Sequence, residues 1–197
     1  MTDEQKKEEQ GGAPAAPAGG QAKPAAPAVP AMEPWDSEIV QSLRKSFPDI
    51  SFEALSYRGQ NLIMVSRENI LPVAHFCKSE LRFDLLSDLT AADYPQKEKR
   101  FEVVYQMYSF RRNERVRLKV PVGESESIES VVPVWITADW LEREVYDMFG
   151  IHFDHHPNLK RILLPEEWQG FPLRKEYGIL QQDVKWVQEN LHINSGQ

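Results

Sequence analysis

Three prolines, Pro157, Pro165 and Pro172, divide a stretch from Gly150 to Tyr177 that also carries Phe153, Ile162, Leu163, Leu164, Trp168, Phe171 and Tyr177. Proline removes a backbone donor and fixes φ, so a helix or central strand cannot run through it. The segment has no helical or strand period. Its apolar side chains are nevertheless too numerous to be left in water. Irregular stretches beyond about 12–15 residues are uncommon in compact domains and are usually functional. A small domain does not offer enough surface for this one. The pattern predicts an extended strap built to lie on a partner protein.

The residues before it predict a regular domain. From about Val134 to Phe149, Leu141, Val145 and Met148 share one helical face, and Gly150 ends the helix. At the other end, Asp36 or Ser37 can cap a helix carrying Ile39, Val40, Leu43 and Phe47. Strands follow at Ile50–Tyr57 and Asn61–Ser66 around an Arg58-Gly59-Gln60 turn. A helix from about Glu68 to Glu80 tolerates Pro72 in its first turn. Phe83–Leu89 roughly alternates, Phe101–Phe110 is rich in Val, Tyr and Phe, and Arg115–Val120 alternates cleanly with Val116, Leu118 and Val120 inward. The order is α-β-β-α-β-β-β-α. Short links favour an α+β domain with an antiparallel or mixed sheet and helices on one face, followed by a long extended C-terminal tail. Residues 1–34, dominated by Ala, Pro and Gly, predict a disordered tether. The expected division is tether 1–34, domain 35–149 and docking segment 150–197.

Charge and cysteine content narrow the chemistry. With 30 acidic against 23 basic side chains the net charge is -7, which disfavours nucleic acid. One cysteine, Cys77, rules out an intramolecular disulfide, a thiolate-ligated iron–sulfur cluster and a zinc ribbon within this chain. Beside Phe76 on the second helix, it reads as a core filler. No apolar run approaches the roughly 20 residues that span a bilayer, and Met1–Gln10 has no apolar signal core. A bacterial cytosolic protein is the simplest expectation.

Two clusters could carry chemistry. His152, His155 and His156 with Asp154 offer metal-ligand groups, but they lack the helical i, i+4 placement of a zinc-hydrolase motif and have no evident general base. Glu142, Glu144 and Asp147, with Arg143 an i, i+4 neighbour of Asp147, could form an acid/base pair. The interleaved Trp140, Tyr146 and Phe149 favour a buried or interfacial ion-pair network instead. No phosphate loop, nucleophile elbow or dinucleotide fingerprint is present. The expectation is no catalytic, cofactor-binding or metal site in this chain.

The block Glu142-Arg143-Glu144, Asp147-Met148-Phe149-Gly150-Ile151, His156-Pro157-Asn158-Leu159, Arg161-Ile162-Leu163-Leu164-Pro165-Glu166, Trp168, Gly170, Pro172-Leu173-Arg174-Lys175 and Tyr177 closely resembles the C subunit of the proton-pumping NADH:quinone oxidoreductase, respiratory complex I. His155 stands where that family often has glycine, Phe171 at a commonly polar position, and Glu176 in place of the usual Asp. The resemblance implies a hydrophilic, non-catalytic subunit of the peripheral arm, on the cytoplasmic side of the bacterial inner membrane, joined to the membrane only through the complex. It implies packing against the D subunit, with FMN, iron–sulfur clusters, NADH and quinone handled by other subunits. The interface residues it implies are Glu142, Arg143, Glu144, Asp147, Phe149, His156, Pro157, Arg161, Leu163, Trp168, Arg174, Lys175 and Tyr177. The equivalent subunit of a membrane-bound hydrogenase or ferredoxin-dependent complex is the nearest alternative reading, and a stand-alone metallohydrolase a remote one.

Overall fold

The computed structural model describes residues 31–178 and 184–192. In chain order the elements are β1 (Glu33–Pro34), α1 (Glu38–Ser46), β2 (Glu53–Tyr57), β3 (Gln60–Met64), a single 3-10 turn at Arg67–Asn69, α2 (Ile70–Ser79), β4 (Leu85–Asp93), β5 (Phe101–Ser109), β6 (Glu114–Val122), β7 (Ser127–Glu129), α3 (Ala138–Phe149), β8 (His152–Asp154) and α4 (Val184–Leu191). The large sheet has the order β1-β2-β3-β6-β5-β4, and β7 pairs with β8 in a separate two-stranded sheet. The expected α+β class and element order hold. Within the large sheet only β3 and β6 run parallel.

Local chemistry explains most boundaries. Ser37 caps α1 by accepting the Val40 N–H at 3.4 Å. Arg58 and Gly59 join β2 to β3 with φ of 50° and 75°, the two left-handed residues of a tight hairpin turn. One apolar row crosses four strands in register, Ile63 to Leu118, Leu118 to Tyr105 and Tyr105 to Leu89, each almost fully buried. Ile39, Val40 and Leu43 of α1, Ile70, Val73 and Cys77 of α2, and Val145, Met148 and Phe149 of α3 all enter this core. The helices thus share one face of the sheet. Burial pushes the Cys77 thiol up to about 12, so it is inert packing.

The structure departs from the sequence-based expectation at four places. α3 begins at Ala138, four residues later than its periodicity suggests. Val131–Ala138 first folds into consecutive turns, and Trp135 swings into the core to donate its Nε1–H to the Phe83 carbonyl at 3.1 Å. The loop after β6 and the start of the strap contain β7 and β8, which are too short to show a period and pair across 25 residues. Residues 1–30 of the tether lie outside the described residues, whereas Glu33 and Pro34 pair with Ser56 and Leu55. The C-terminal segment also contains a helix, α4.

Phe153 anchors β8 and is 1% exposed. Phe153→Ala is expected to cost about 3–5 kcal/mol, read as a lower urea midpoint, because a ring-sized cavity forms under the start of the strap. A loss below about 1 kcal/mol would contradict this placement.

Candidate functional site

α3 and the strap meet at the helix C-terminus. Gly150 adopts φ 75° and donates its N–H to the Tyr146 carbonyl at 2.9 Å, a left-handed cap. The strap passes directly over it: a Cβ at Gly150 would lie 2.6 Å from the Phe171 ring and 2.9 Å from Arg174 Nη2. Glycine is required there on both counts.

Asp147 is the centre of the contact. Its side chain is fully buried, and one carboxylate oxygen accepts three consecutive strap N–H groups, those of Ile162 (3.0 Å), Leu163 (2.8 Å) and Leu164 (3.0 Å). The other oxygen takes Arg161 Nη1 at 2.6 Å. Burial alone would push this carboxyl up, but the three amides and the guanidinium outweigh it and hold the pKa below the usual carboxylate range. Arg161 also donates to the Asp147 and Gly170 carbonyls, both at 3.1 Å, and lies 5.2 Å over the Phe171 ring. Arg143, the helical neighbour of Asp147, is turned away from it. Its guanidinium donates to the Lys160 and Arg161 carbonyls (3.2 and 3.4 Å) and stacks 4.9 Å from the Trp140 ring. The expected Arg143–Asp147 proximity is therefore replaced by two separate grips on the strap.

A second clasp closes the far end. Arg174 donates through Nε to the Phe149 carbonyl at 2.7 Å, satisfying an orphan acceptor of the helix end, and stacks on Phe171 and Phe101 at 4.7 and 5.2 Å. The Leu173 N–H reaches the Met148 carbonyl at 3.1 Å. The Lys175 N–H donates to Asp93 at 2.8 Å, and Asp93 is gripped side-on by Nε and Nη2 of Arg100 at 2.8 and 2.9 Å. Arg100's hydrogen bonds hold the Asp93 pKa below the ordinary value despite burial. Arg100 also pairs with Glu124 and Glu176. Asp93, Arg100 and Glu124 were not foreseen from sequence. Asp93 lies 82 residues from Lys175, and nothing local in the Asp-Tyr-Pro turn marks it.

Between the clasps and the core lies a buried acid. Glu142 is 0% exposed and accepts the Val131 N–H at 2.7 Å. Burial lifts its pKa to about 7. Its second oxygen, which has no hydrogen-bond partner among the described residues, faces Nε2 of the equally buried His156 at 4.0 Å. His156 accepts the Asn158 N–H on Nδ1 at 3.0 Å and sets Nε2 3.1 Å from the Asp139 carbonyl oxygen.

The three imidazoles do not converge. His152 faces Asp154, His155 faces Glu129 and His156 faces Asp139, and among the described residues no group of three or more His, Cys, Asp or Glu gathers as a metal would need. His155, at the position noted for glycine, has φ 59°. Of the remaining interface candidates, Glu144, Pro157 and Lys175 have exposed side chains and Leu163 is 61% exposed. Phe149 is buried against Phe101 at 6.4 Å. Trp168 and Tyr177 are half-buried, and the Tyr177 ring would lie 2.8 Å from a Cβ at Gly170.

Asp147→Asn is expected to lose about 3–5 kcal/mol at neutral pH, since Arg161 is left without its counter-charge. Amide exchange at Ile162, Leu163 and Leu164 should accelerate with it. A carboxyl whose folded pKa is depressed stabilises above its unfolded value, about 3.9, and the gain disappears as pH falls through the lower folded value. The gap between parent and variant should therefore close in acid. Glu142 carries the opposite sign. Its folded pKa is raised, so the parent should lose stability relative to Glu142→Gln as pH rises from about 4.5 to about 7 and then level off. Parallel thermal midpoints across that window would contradict the burial of this acid.

The model for the respiratory-chain NADH dehydrogenase 30 Kd subunit matches residues 63–183. The NADH-quinone oxidoreductase C subunit of Geotalea uraniireducens is 46% identical over 143 residues, 72% of this chain and 87% of that one. Its counterpart in Roseiflexus sp. is 41% identical over 155 residues, covering 77% and 89%. The NADH-quinone oxidoreductase C/D subunit of Bdellovibrio bacteriovorus is 40% identical over 157 residues, 80% of this chain and 28% of that longer one. Among solved structures, a chain of the membrane-bound sulfane sulfur reductase, an archaeal respiratory membrane complex, superposes with a TM-score of 0.62 at 23% identity over 79% of this chain and 91% of its own, a likeness of fold alone. On this family match and these identities, the chain belongs to the respiratory-chain NADH dehydrogenase 30 kDa subunit family, that of the NADH-quinone oxidoreductase C subunits.

Proposed function

We propose that this chain works as a structural, non-catalytic subunit of the peripheral arm of NADH:quinone oxidoreductase, and that its strap and the outer flank of α3 form the surface offered to the D subunit. The outward face of the strap carries this assignment. The strap's polar contacts are turned inward, onto Asp147, Phe149 and Asp93, while its apolar side chains Leu163 (61% exposed) and Leu173 (51%) point away. Trp140 (64%) on α3 and Ile136 (75%) in the turns just before it have the same character. Large apolar side chains held out by a rigid, charge-fastened backbone suit interface anchors, since no ordering cost remains for binding. A relative in which the C and D subunits form one chain supports the D subunit as the neighbour.

Among the described residues no helix is long and apolar enough to cross a membrane. In this role the chain is held at the cytoplasmic face of the inner membrane through its complex. FMN, iron–sulfur clusters, NADH and quinone then belong to other subunits.

The double variant Leu163→Asp/Leu173→Asp tests it. Membranes from cells carrying the variant are expected to lose most of the D subunit from an affinity pull-down through this chain, and to lose NADH:quinone reductase activity in proportion. The thermal midpoint of the chain should move little, because both side chains are exposed. A full set of subunits with parental turnover would sink the assignment.

A further inference from the structure

The other face of the large sheet lies away from α1, α2 and α3, and it carries a second surface. Outward from β6 point Arg115, Arg117 and Lys119, flanked by Gln60, Leu62 and Met64 of β3 and by Glu102, Val104, Gln106 and Tyr108 of β5. Leu62 sits opposite Arg117 and Val104 opposite Lys119 in the ladder, and both apolar residues are buried (4% and 9% exposed). The long stems of the cations serve as their cover while the charged heads stay outside. Lys119 is neutralised by Glu102 at 2.7 Å. The arginines are not: Arg117 donates through Nε to the neutral Gln106 Oε1 at 2.9 Å, and Arg115 lies 5.2 Å over the Tyr108 ring, whose hydroxyl is tied to Asn113. Among the described residues neither forms an ion pair. Both line a cleft of about 370 Å³ whose lining includes the amide-bearing residues Gln60 and Gln106 on the same face of the sheet, together with Glu114.

We infer that this cleft is a docking site for an acidic, extended segment of a neighbouring polypeptide. In a chain of net charge -7, two uncompensated guanidiniums held in place by an amide and an aromatic ring form a preorganised receptor for carboxylates. The spacing selects the ligand. Arg115 and Arg117 are two residues apart on a strand, about 6.5–7 Å, which is the repeat of same-side side chains in an extended peptide. An acid-x-acid segment lying along β6 presents one carboxylate to each, and the amide of Gln60 supplies a partner for its backbone. The chain's own first 32 residues are a poor occupant, with four acids (Asp3, Glu4, Glu8, Glu9) balanced by three lysines (Lys6, Lys7, Lys23). The site is on the opposite side of the sheet from the helices and does not depend on the role proposed for the strap.

The full chain is titrated, at low ionic strength, with a fluorescein-labelled hexapeptide in which glutamate alternates with serine. Saturable binding is expected, together with loss of about tenfold or more in affinity for Arg115→Ala/Arg117→Ala. Arg117→Lys keeps the stem and the charge and should retain most of the affinity, which separates charge recognition from a folding defect. Leu163→Asp/Leu173→Asp should bind the peptide as the parent does, so this site and the strap can fail independently. Unchanged affinity in the double arginine variant would overturn the site. So would tighter binding of a single-stranded oligonucleotide in the same cleft, or a gain in peptide affinity when residues 1–31 are deleted, which would make the N-terminus the occupant.

Discussion

One buried carboxylate decides where the strap lies. Asp147 is held on α3, and stripping its charge of water costs several kcal/mol unless the lone pairs are met. They are met from one place, the Ile162–Leu164 amides and Arg161. A set satisfied in part would be worse than an apolar contact, so the strap either seats fully or not at all. Register follows from this: a shift by one residue would carry Arg161 away from its acid and Phe171 away from the gap over Gly150. Arg143, Arg174 and Asp93 then fasten the same path at three further points, each using a backbone group as one partner.

That choice of partners shapes the outer surface. Because much of its hydrogen bonding is directed onto the domain, the strap can hold large apolar side chains outward among exposed charges such as Lys160, Glu166 and Glu167. Leu163 and Leu173 are the clearest cases, with Trp140 on α3 and Ile136 just before it also exposed. An irregular segment fixed in this way behaves as an added layer of the domain. It presents side chains at positions that a regular helix or strand could not, without the entropy cost of ordering a loose tail on binding. The opposite sheet face is built on another plan, with cations over apolar residues and amides between them.

The helices and the β4–β6 meander were legible because their signals are local. Val116, Leu118 and Val120 alternate, Ile39, Val40 and Leu43 recur at helical spacing, and Ser37 caps. The strap was legible as an anomaly, from its prolines and its unaccommodated apolar residues. Its fastening was not. Apolar content alone pointed the whole strap toward a partner, whereas the domain itself supplies the polar half of its seat. Asp147 looks like one more charge on a helix until the amides of Ile162–Leu164 are seen converging on it, and Asp93 and Arg100 carry no local mark of their role. Pairing at a distance was equally silent: β3 with β6, β7 with β8, and the two residues of β1 rest on partners that periodicity does not report.

The order of the clasp's two halves along the chain has a consequence during synthesis. α3 leaves the ribosome first, with Asp147, Arg143 and the Phe149 carbonyl all lacking the partners they have in the finished fold. Those partners, Lys160 to Arg174, emerge only afterwards. Until then the domain carries a charge that its core cannot accept, so the end of α3 cannot settle early into its final packing. Completion of this part of the fold is thereby tied to synthesis of the strap as far as Arg174, and a product that stops short of it is marked by an unquenched helix end.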